Sequence, residues 1–562
     1  MPILNLSING SLSIEDSALI DSLGQESQDI CNKFVAQLVD KNALSGLDFL
    51  LSVISRNPMQ SQIPLVINRL LLLQKKLERK DRISMIVLED SRLLTPIREI
   101  LANFDIEVPI KIYKHRRLPA MSKVFLNALQ SAYLVFISWW WPRLTGLYKK
   151  EPKSSCVLVD TFALPNSFTE VGEFIDRYYT GYEQYLNDGE LDKIYHAPTL
   201  VGFRSLTSCI KMARLSKKTK HHFIFQESWL SLSDYLHAMY LSLVLPLKIK
   251  NFPLLLEYNI RNLLVNELRA DIFSPALIKA ICRFKFVKRL SEAGVDFCQV
   301  INWHENQSID KALNLGFHMH YPGLAIKGYQ GYVAPSYWTH SVPQSLELEN
   351  QLLPDELYVI SNHRKKEILA NCPNLSVCIA SSFRFSYLLD IERLELCSGE
   401  EATILIALPI DIEESKGILR ACIELQSSIS RKITILVKQH PTYSKDKFEK
   451  LAPEFGNSAF TAVNDSMSNL LEHITLLISS ASSTCAEAVS LGIPVAVYGN
   501  RYGVTANPIA NADNEITQVF YSQEQLAEFI NNSLTKNYRR KHIEEFFYID
   551  NGESAKELFV CS

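Results

Sequence analysis

Two polar regions, the first of them in two parts, follow apolar runs and hold most of the residues suited to chemistry. In the first, His440 leaves the run KITILVK just before Pro441, with Lys438 closing the run. A ring N–H and an ammonium at such a point can hold a phosphate oxygen. Downstream, LLISSASSTCAEAVSLGIPVAVYG sets Ser480, Ser482, Ser483 and Thr484 before and at a predicted helix start. Hydroxyl donors, unpaired backbone N–H groups and the positive end of a helix dipole together favour an anion there. Thr484 and Glu487 also spell T-x-x-E, so Glu487 either closes a capping box or accepts from ribose hydroxyls.

The second stretch is Trp303-His304-Glu305-Asn306-Gln307, which follows FCQVIN and opens a helical segment. A carboxylate at a strand end suits attack at the anomeric carbon of a sugar, as general base or as nucleophile. Glu305 is the first candidate for that role, with His304 beside it and Asp160, at the end of CVLVD, the second carboxylate. Asp176 and Arg177 form a local ion pair or hold acceptor hydroxyls, and Glu227 also faces the cleft on this reading. Tyr329, Gln330 and Tyr332 in GYQGY suit a sugar or a tight turn. No D-x-D loop stands out, and Asp411 and Glu413 read as N-terminal helix charges. The expected chemistry therefore needs no metal and no cofactor besides a donor substrate.

These groups must be positioned by alternating strands and helices. After Cys397 the chain reads as TILIAL, a helix near 412–429, KITILVK, a strand near AFTAV, the helix NDSMSNLLEH, then TLLISS, STCAEAVSL and PVAVYG, with a helix near 522–534. That order specifies a parallel, doubly wound sheet whose ligands bind at the carboxyl ends of the strands. The predicted organisation is a helical prefix over 1–80, a Rossmann-like domain over 81–395, a second one over 396–545, and a C-terminal tail over 546–562. In the first domain SMIVLE, VPIKIYK and CVLVDTF are expected in one sheet. Residues 124–141, VFLNALQSAYLVFISWWW, are uncharged, and Lys114, Arg116, Arg117 and Lys123 precede them while Arg143, Lys149 and Lys150 follow. The stretch is barely long enough to span a bilayer and has tryptophans at one end, so an in-plane membrane helix is expected.

The 562 residues, 47% hydrophobic and 21% charged, suffice for two or three cored domains. A net charge of -3 disfavours a nucleic-acid partner. The 11 cysteines include no C-x-x-C pair and read as reduced, buried thiols. The first residues lack the basic and apolar regions of a secretory signal, so the expected place is the cytoplasm, on the inner face of the cytoplasmic membrane.

With K-Q-H-P at 438–441 and S-S-A-S-S-T at 479–484, the chain resembles bacterial surface-polysaccharide glycosyltransferases of the GT-B fold over roughly 155–510. Sialyltransferases, polysialyltransferases and capsule or lipopolysaccharide Kdo transferases of that group share an H-P motif and a serine-rich motif that hold the nucleotide of a CMP-sugar. The resemblance implies two Rossmann-like domains facing a cleft. It places His440 at the H-P histidine and Ser480, Ser482 and Ser483 in the serine motif. FTEVGEFIDRYYTGYEQYL, INWHENQSIDKALNLGF and KGYQGYVAPSYW are similar to capsule and O-antigen transferases with the same nucleotide-binding half. The implied donor is CMP-Kdo or a related CMP-sugar, with UDP-sugars and CDP-linked polyol phosphates as alternatives. The implied acceptor is a lipid-linked or growing glycan. A polyol-phosphate transferase and a non-catalytic assembly scaffold are the competing functions.

Overall fold

The computed structural model describes residues 3–113 except Asn9, 120–147, Pro152, 154–391, 401–535 except Thr442 and Ser444, and 543–561. Of the basic residues flanking 124–141, Lys114, Arg116, Arg117, Lys149 and Lys150 lie outside the described residues. The strands assemble into three parallel sheets.

Helices Ile14–Ser22, Gly24–Asn42 and Ile63–Glu78 make up most of 1–80, and the first sheet adds one strand that was not expected there. β1 (Ile3–Asn5) pairs in parallel with β2 (Met85–Leu88), and β2 with β3 (Ile110–Ile112). A strand of three residues is too short to leave an alternation in the sequence, and its partner lies far along the chain. Nor does CVLVDTF continue this sheet. β2 and β3 alternate or stay half-exposed, whereas β4 (Cys156–Ala163) is buried along nearly its whole length. A strand covered on both faces belongs at the centre of a larger parallel sheet.

That sheet adds β5 (Ile194–Leu200), β6 (His222–Phe223), β7 (Phe297–Trp303), β8 (Ile326–Gln330), β9 (Glu356–Val359) and β10 (Ser376–Ile379), in the order β10-β9-β8-β7-β4-β5-β6. The chain winds outward from β4 through β5 and β6, then returns to β7 on the other side. The strand order therefore reverses between β4 and β7, where loops diverge and leave a crevice at the carboxyl ends.

The third sheet contains β11 (Glu401–Ala407), β12 (Lys432–Lys438), β13 (Thr461–Ala462), β14 (Leu476–Ser479), β15 (Val495–Tyr498) and β16 (Thr517–Phe520), ordered β13-β12-β11-β14-β15-β16. Its reversal lies between β11 and β14. The two larger sheets form two Rossmann-like units.

Two segments tie the units together. The stretch expected as a tail instead returns to the seven-stranded sheet, where the helix Glu553–Phe559 lays Phe559 on Tyr182 with ring centroids 4.0 Å apart. The Tyr358 hydroxyl donates to Glu557 at 2.8 Å, and Cys298 on β7 is disulfide-bonded to Cys561, a pair the reduced-thiol reading did not anticipate. At the other terminus, buried Arg69 of the helix Ile63–Glu78 donates to the carbonyls of Gly10 and Tyr502, both at 3.0 Å, and so ties the N-terminal segment to the loop after β15. One apolar cluster runs from Ile301, Trp303 and Tyr329 through Phe383 and Leu388 to Leu477, Ala486 and Val489, joining the two large sheets.

Residues 124–141 fall within the helix Ala120–Thr145. One side is packed, with Ser131, Val135, Ile137 and Trp141 buried, and the other is exposed. No described helix is long and apolar enough to cross a membrane.

Candidate functional site

The carboxyl ends of β12 and β14 carry the first polar stretch. Ser479 donates to the Ala407 carbonyl at 2.7 Å, locking β14 to β11 at the reversal. Ser480, also buried, donates to Glu414 at 2.8 Å, and burial pushes that carboxyl up to about 7. The Ser480 hydroxyl therefore braces the loop, while Ser482 and Ser483 remain partly exposed beside it. The helix Thr484–Ser490 is only seven residues long, and the T-x-x-E capping box does not form. Ser483, in right-handed helical geometry, is the N-cap, and the Ser482 hydroxyl bonds to Thr484 at 3.1 Å.

Glu487 is drawn elsewhere. It accepts from the Ser483 hydroxyl at 3.2 Å and from the hydroxyl of Tyr387, which belongs to the turn Phe383–Leu389 following β10 of the other unit. Burial raises its pKa against the lowering influence of Tyr387 and Arg384. His440 is half-buried, and burial first, then the charge of Arg384, hold it below its ordinary value. At neutral pH it is an uncharged imidazole able to donate one N–H, and the fixed positive charge beside it is Arg384. Lys438 points its ammonium at the Asp465 carbonyl in the neighbouring loop. Pro441 is exposed at the strand exit.

Arg384 and Tyr387 are the groups that the sequence reading missed. Arg384 is exposed, and its charge reaches His440 and Glu487 on one unit and Tyr178 and Tyr329 on the other. The only sequence signal was position, since three residues separate FRFSYLL from the end of β10, where ligand-facing loops begin.

The second polar stretch lies at the β4–β7 reversal. Glu305 is partly exposed and accepts from Trp303 Nε1 at 2.8 Å and from Gln307 Nε2 at 2.6 Å. Tyr178 packs edge-on against Trp303, centroids 4.7 Å apart, and Tyr332 lies 6.0 Å from the same ring. A Cβ at Gly331 would collide with the rings of Tyr329 and Trp303, so the close approach of this loop requires glycine. Asp310 accepts the N–H groups of Glu305 and Gln307, both at 3.0 Å, which fixes the loop. Burial, then the charge of Glu305, lift Asp310 to about 7.

The other catalytic candidates are corrected. Asp160 is buried, paired with Arg283 and bonded to Asn302 Nδ2 at 3.0 Å, and its strand continues to Ala163, so it is not at a strand end. His304 is fully buried, its Nδ1 lies 3.0 Å from Asn302 Oδ1, and burial depresses it to about 3. Both are enclosed because β4 and the carboxyl end of β7 are covered on both faces of the sheet. Asp176 accepts the backbone N–H of Tyr178 at 2.8 Å instead of pairing with Arg177, and burial raises it to about 6. Gln330 is buried and bonded to Arg364 at 3.0 Å, and Tyr329 is buried with its hydroxyl on the Ser381 carbonyl at 2.8 Å. Glu227 lies in a pocket with Ser138, Tyr235, Lys279 and Ile309 that Glu305 does not line, and burial lifts it to about 7. Among the described residues no group of three or more His, Cys, Asp or Glu could hold a metal ion.

No protein-family model matches this chain, and no curated protein does. Among solved structures it is similar to the UDP co-structure of Staphylococcus aureus MnaA, at 12% identity and a TM-score of 0.41 over 72% of this chain and 95% of that one. The Neisseria meningitidis UDP-GlcNAc 2-epimerase bound to UDP-GlcNAc matches at 13% and 0.38 over 71% and 97%. The lipopolysaccharide outer core galactosyltransferase WaaB matches at 10% and 0.39 over 72% and 98%. At such identities and scores, substrate and reaction have to be argued from this chain's own residues.

Proposed function

We propose that this chain is a glycosyltransferase that takes a sugar from a nucleotide-sugar donor held at the carboxyl edge of the six-stranded sheet. The acceptor, a lipid-linked or growing surface glycan, is presented by the seven-stranded unit, and Ala120–Thr145 keeps the enzyme on the inner membrane surface in capsule or lipopolysaccharide assembly. One observation carries the reading. Arg384, from the seven-stranded unit, lies within electrostatic reach of His440 and Glu487 at one reversal and of Tyr178 beside Glu305 at the other. A cation shared between two reversals is where a leaving nucleotide phosphate needs stabilisation.

In the proposed reaction Arg384 and the neutral imidazole of His440 donate to the departing phosphate. Glu305, held by Trp303 and Gln307, acts on the acceptor hydroxyl or the anomeric carbon. The resemblance of K-Q-H-P and S-S-A-S-S-T favours CMP-Kdo or a related CMP-sugar. The test is turnover of CMP-Kdo by Glu305→Gln. The expected result is a loss of kcat of about 100-fold or more with donor affinity kept. Full turnover by that variant would remove Glu305 from the reaction, and a wild type without any nucleotide-dependent turnover would leave only the scaffold reading.

A further inference from the structure

The exposed side of the helix Ala120–Thr145 is apolar along its length: Phe125, Leu129, Tyr133, Phe136, Trp140 and Leu144 recur at helical spacing, and Phe125 is 63% exposed. Its neighbour Leu232–Val244, with the short turn Leu245–Lys248, does the same with Leu232, Leu236, Tyr240, Leu243 and Leu247. The two helices pack together around a pocket that Leu134, Ser138 and Tyr235 line. Two adjoining apolar stripes of this length exceed the scattered apolar residues of an ordinary surface.

Charge selects the occupant. Ala120–Thr145 contains no acidic residue, and the single one between 232 and 250, Asp234, is buried against Arg289 at 2.9 Å. Lys123, Arg143 and Lys250 are exposed around the stripes, and Lys248 reaches Asp48 at 2.8 Å with half its side chain still exposed. Apolar stripes with Trp and Tyr, with exposed Lys123, Arg143 and Lys250 at their margins, complement the interface of an anionic bilayer. The packed faces of both helices remain in the protein, which lays the helices in the plane of the membrane.

We infer that the two helices form one composite footing on a bilayer containing anionic lipid, with Leu232–Val244 as essential as the helix that its sequence singles out. The inference deepens the membrane attachment proposed above, and it rests on that reading only for its purpose. The footing orients the protein: the pocket between the helices is also lined by Pro198, Thr199 and Leu200 at the end of β5, so the seven-stranded unit is the one that faces lipid-borne material.

The test is co-sedimentation of the full chain with phosphatidylcholine vesicles and with vesicles of phosphatidylcholine and phosphatidylglycerol at 3:1. Wild type should bind the anionic vesicles at least about fivefold more tightly, and less so at high salt. Leu236→Glu with Tyr240→Glu, and separately Leu129→Glu with Phe136→Glu, should each lower binding at least about tenfold. All four positions are exposed, and an unchanged circular-dichroism melt checks the fold. Wild-type binding by the Leu236/Tyr240 variant would overturn the composite footing, as would equal binding to neutral vesicles. A wild-type dimer in sedimentation velocity that either double variant dissolves would assign the face to a second copy instead. Nucleotide affinity is measured on the same samples: vesicle binding without nucleotide binding would sink the enzyme and keep the footing.

Discussion

Replacing Glu347 by glutamine removes one negative charge from between two buried cations. Its carboxylate accepts both oxygens' worth of bonds from Arg56 at 2.9 Å, one from Lys311 at 2.7 Å and one from Asn306 Nδ2 at 3.0 Å. Arg56 and Lys311 are 3% and 1% exposed, so neither can turn to water. Breaking such a buried pair costs about 3–5 kcal/mol because an uncompensated charge is left behind. A second route gives a similar figure. Burial alone would raise the Glu347 pKa, but Arg56 and Lys311 hold it at about 2 against 4.5. That difference corresponds to about 3 kcal/mol of folding stability. With the folded pKa depressed, the contribution is complete above pH 4.5 and disappears as pH falls through 2. Urea unfolding at pH 7 should therefore show Glu347→Gln less stable by about 3–5 kcal/mol, with the gap closing below pH 4. Since Asn306 follows Glu305 and is held by Glu347, turnover should fall as well. A variant within about 1 kcal/mol of wild type at pH 7, or a gap independent of pH, would refute the reasoning.

Asp310 works in the opposite direction. Its folded pKa of about 7 lies above 3.8, so its contribution is present below pH 3.8 and lost as pH rises through 7. Asp310→Asn should gain on wild type by up to about 4 kcal/mol between pH 4 and 8 in chemical denaturation, and parallel pH curves would contradict this. Tyr387→Phe leaves buried Glu487 without its donor from the other unit and should cost about 1–3 kcal/mol by the same assay, with no change if the contact is idle.

The six-stranded unit was legible almost element by element. KITILVK became β12 at Lys432–Lys438, TLLISS became β14 at Leu476–Ser479, and STCAEAVSL became the helix Thr484–Ser490, because each carries its own period and its own turn residues. Contacts between distant segments left no such trace. β1 needs Met85 to exist as a strand, and Phe559 needs Tyr182. At the site, local rules pointed to Thr484–Glu487 as a cap, but the Tyr387 hydroxyl from the other unit captured the carboxylate. His304 and Asp160 look reactive in sequence because residue type is visible there and burial is not. Arg384 escaped for the converse reason, since its importance comes from the two loops it lies between.

The central claim, that Arg384 and His440 form the donor-phosphate site, is tested most directly by calorimetric titration of CMP, CDP, UDP and GDP into wild type, Arg384→Ala and His440→Ala. The motif resemblance predicts that a cytidine nucleotide binds the wild type, and charge-assisted bonds to its phosphate predict that each substitution weakens it about ten- to hundredfold. Equal nucleotide affinity in all three proteins would contradict the site and the function built on it.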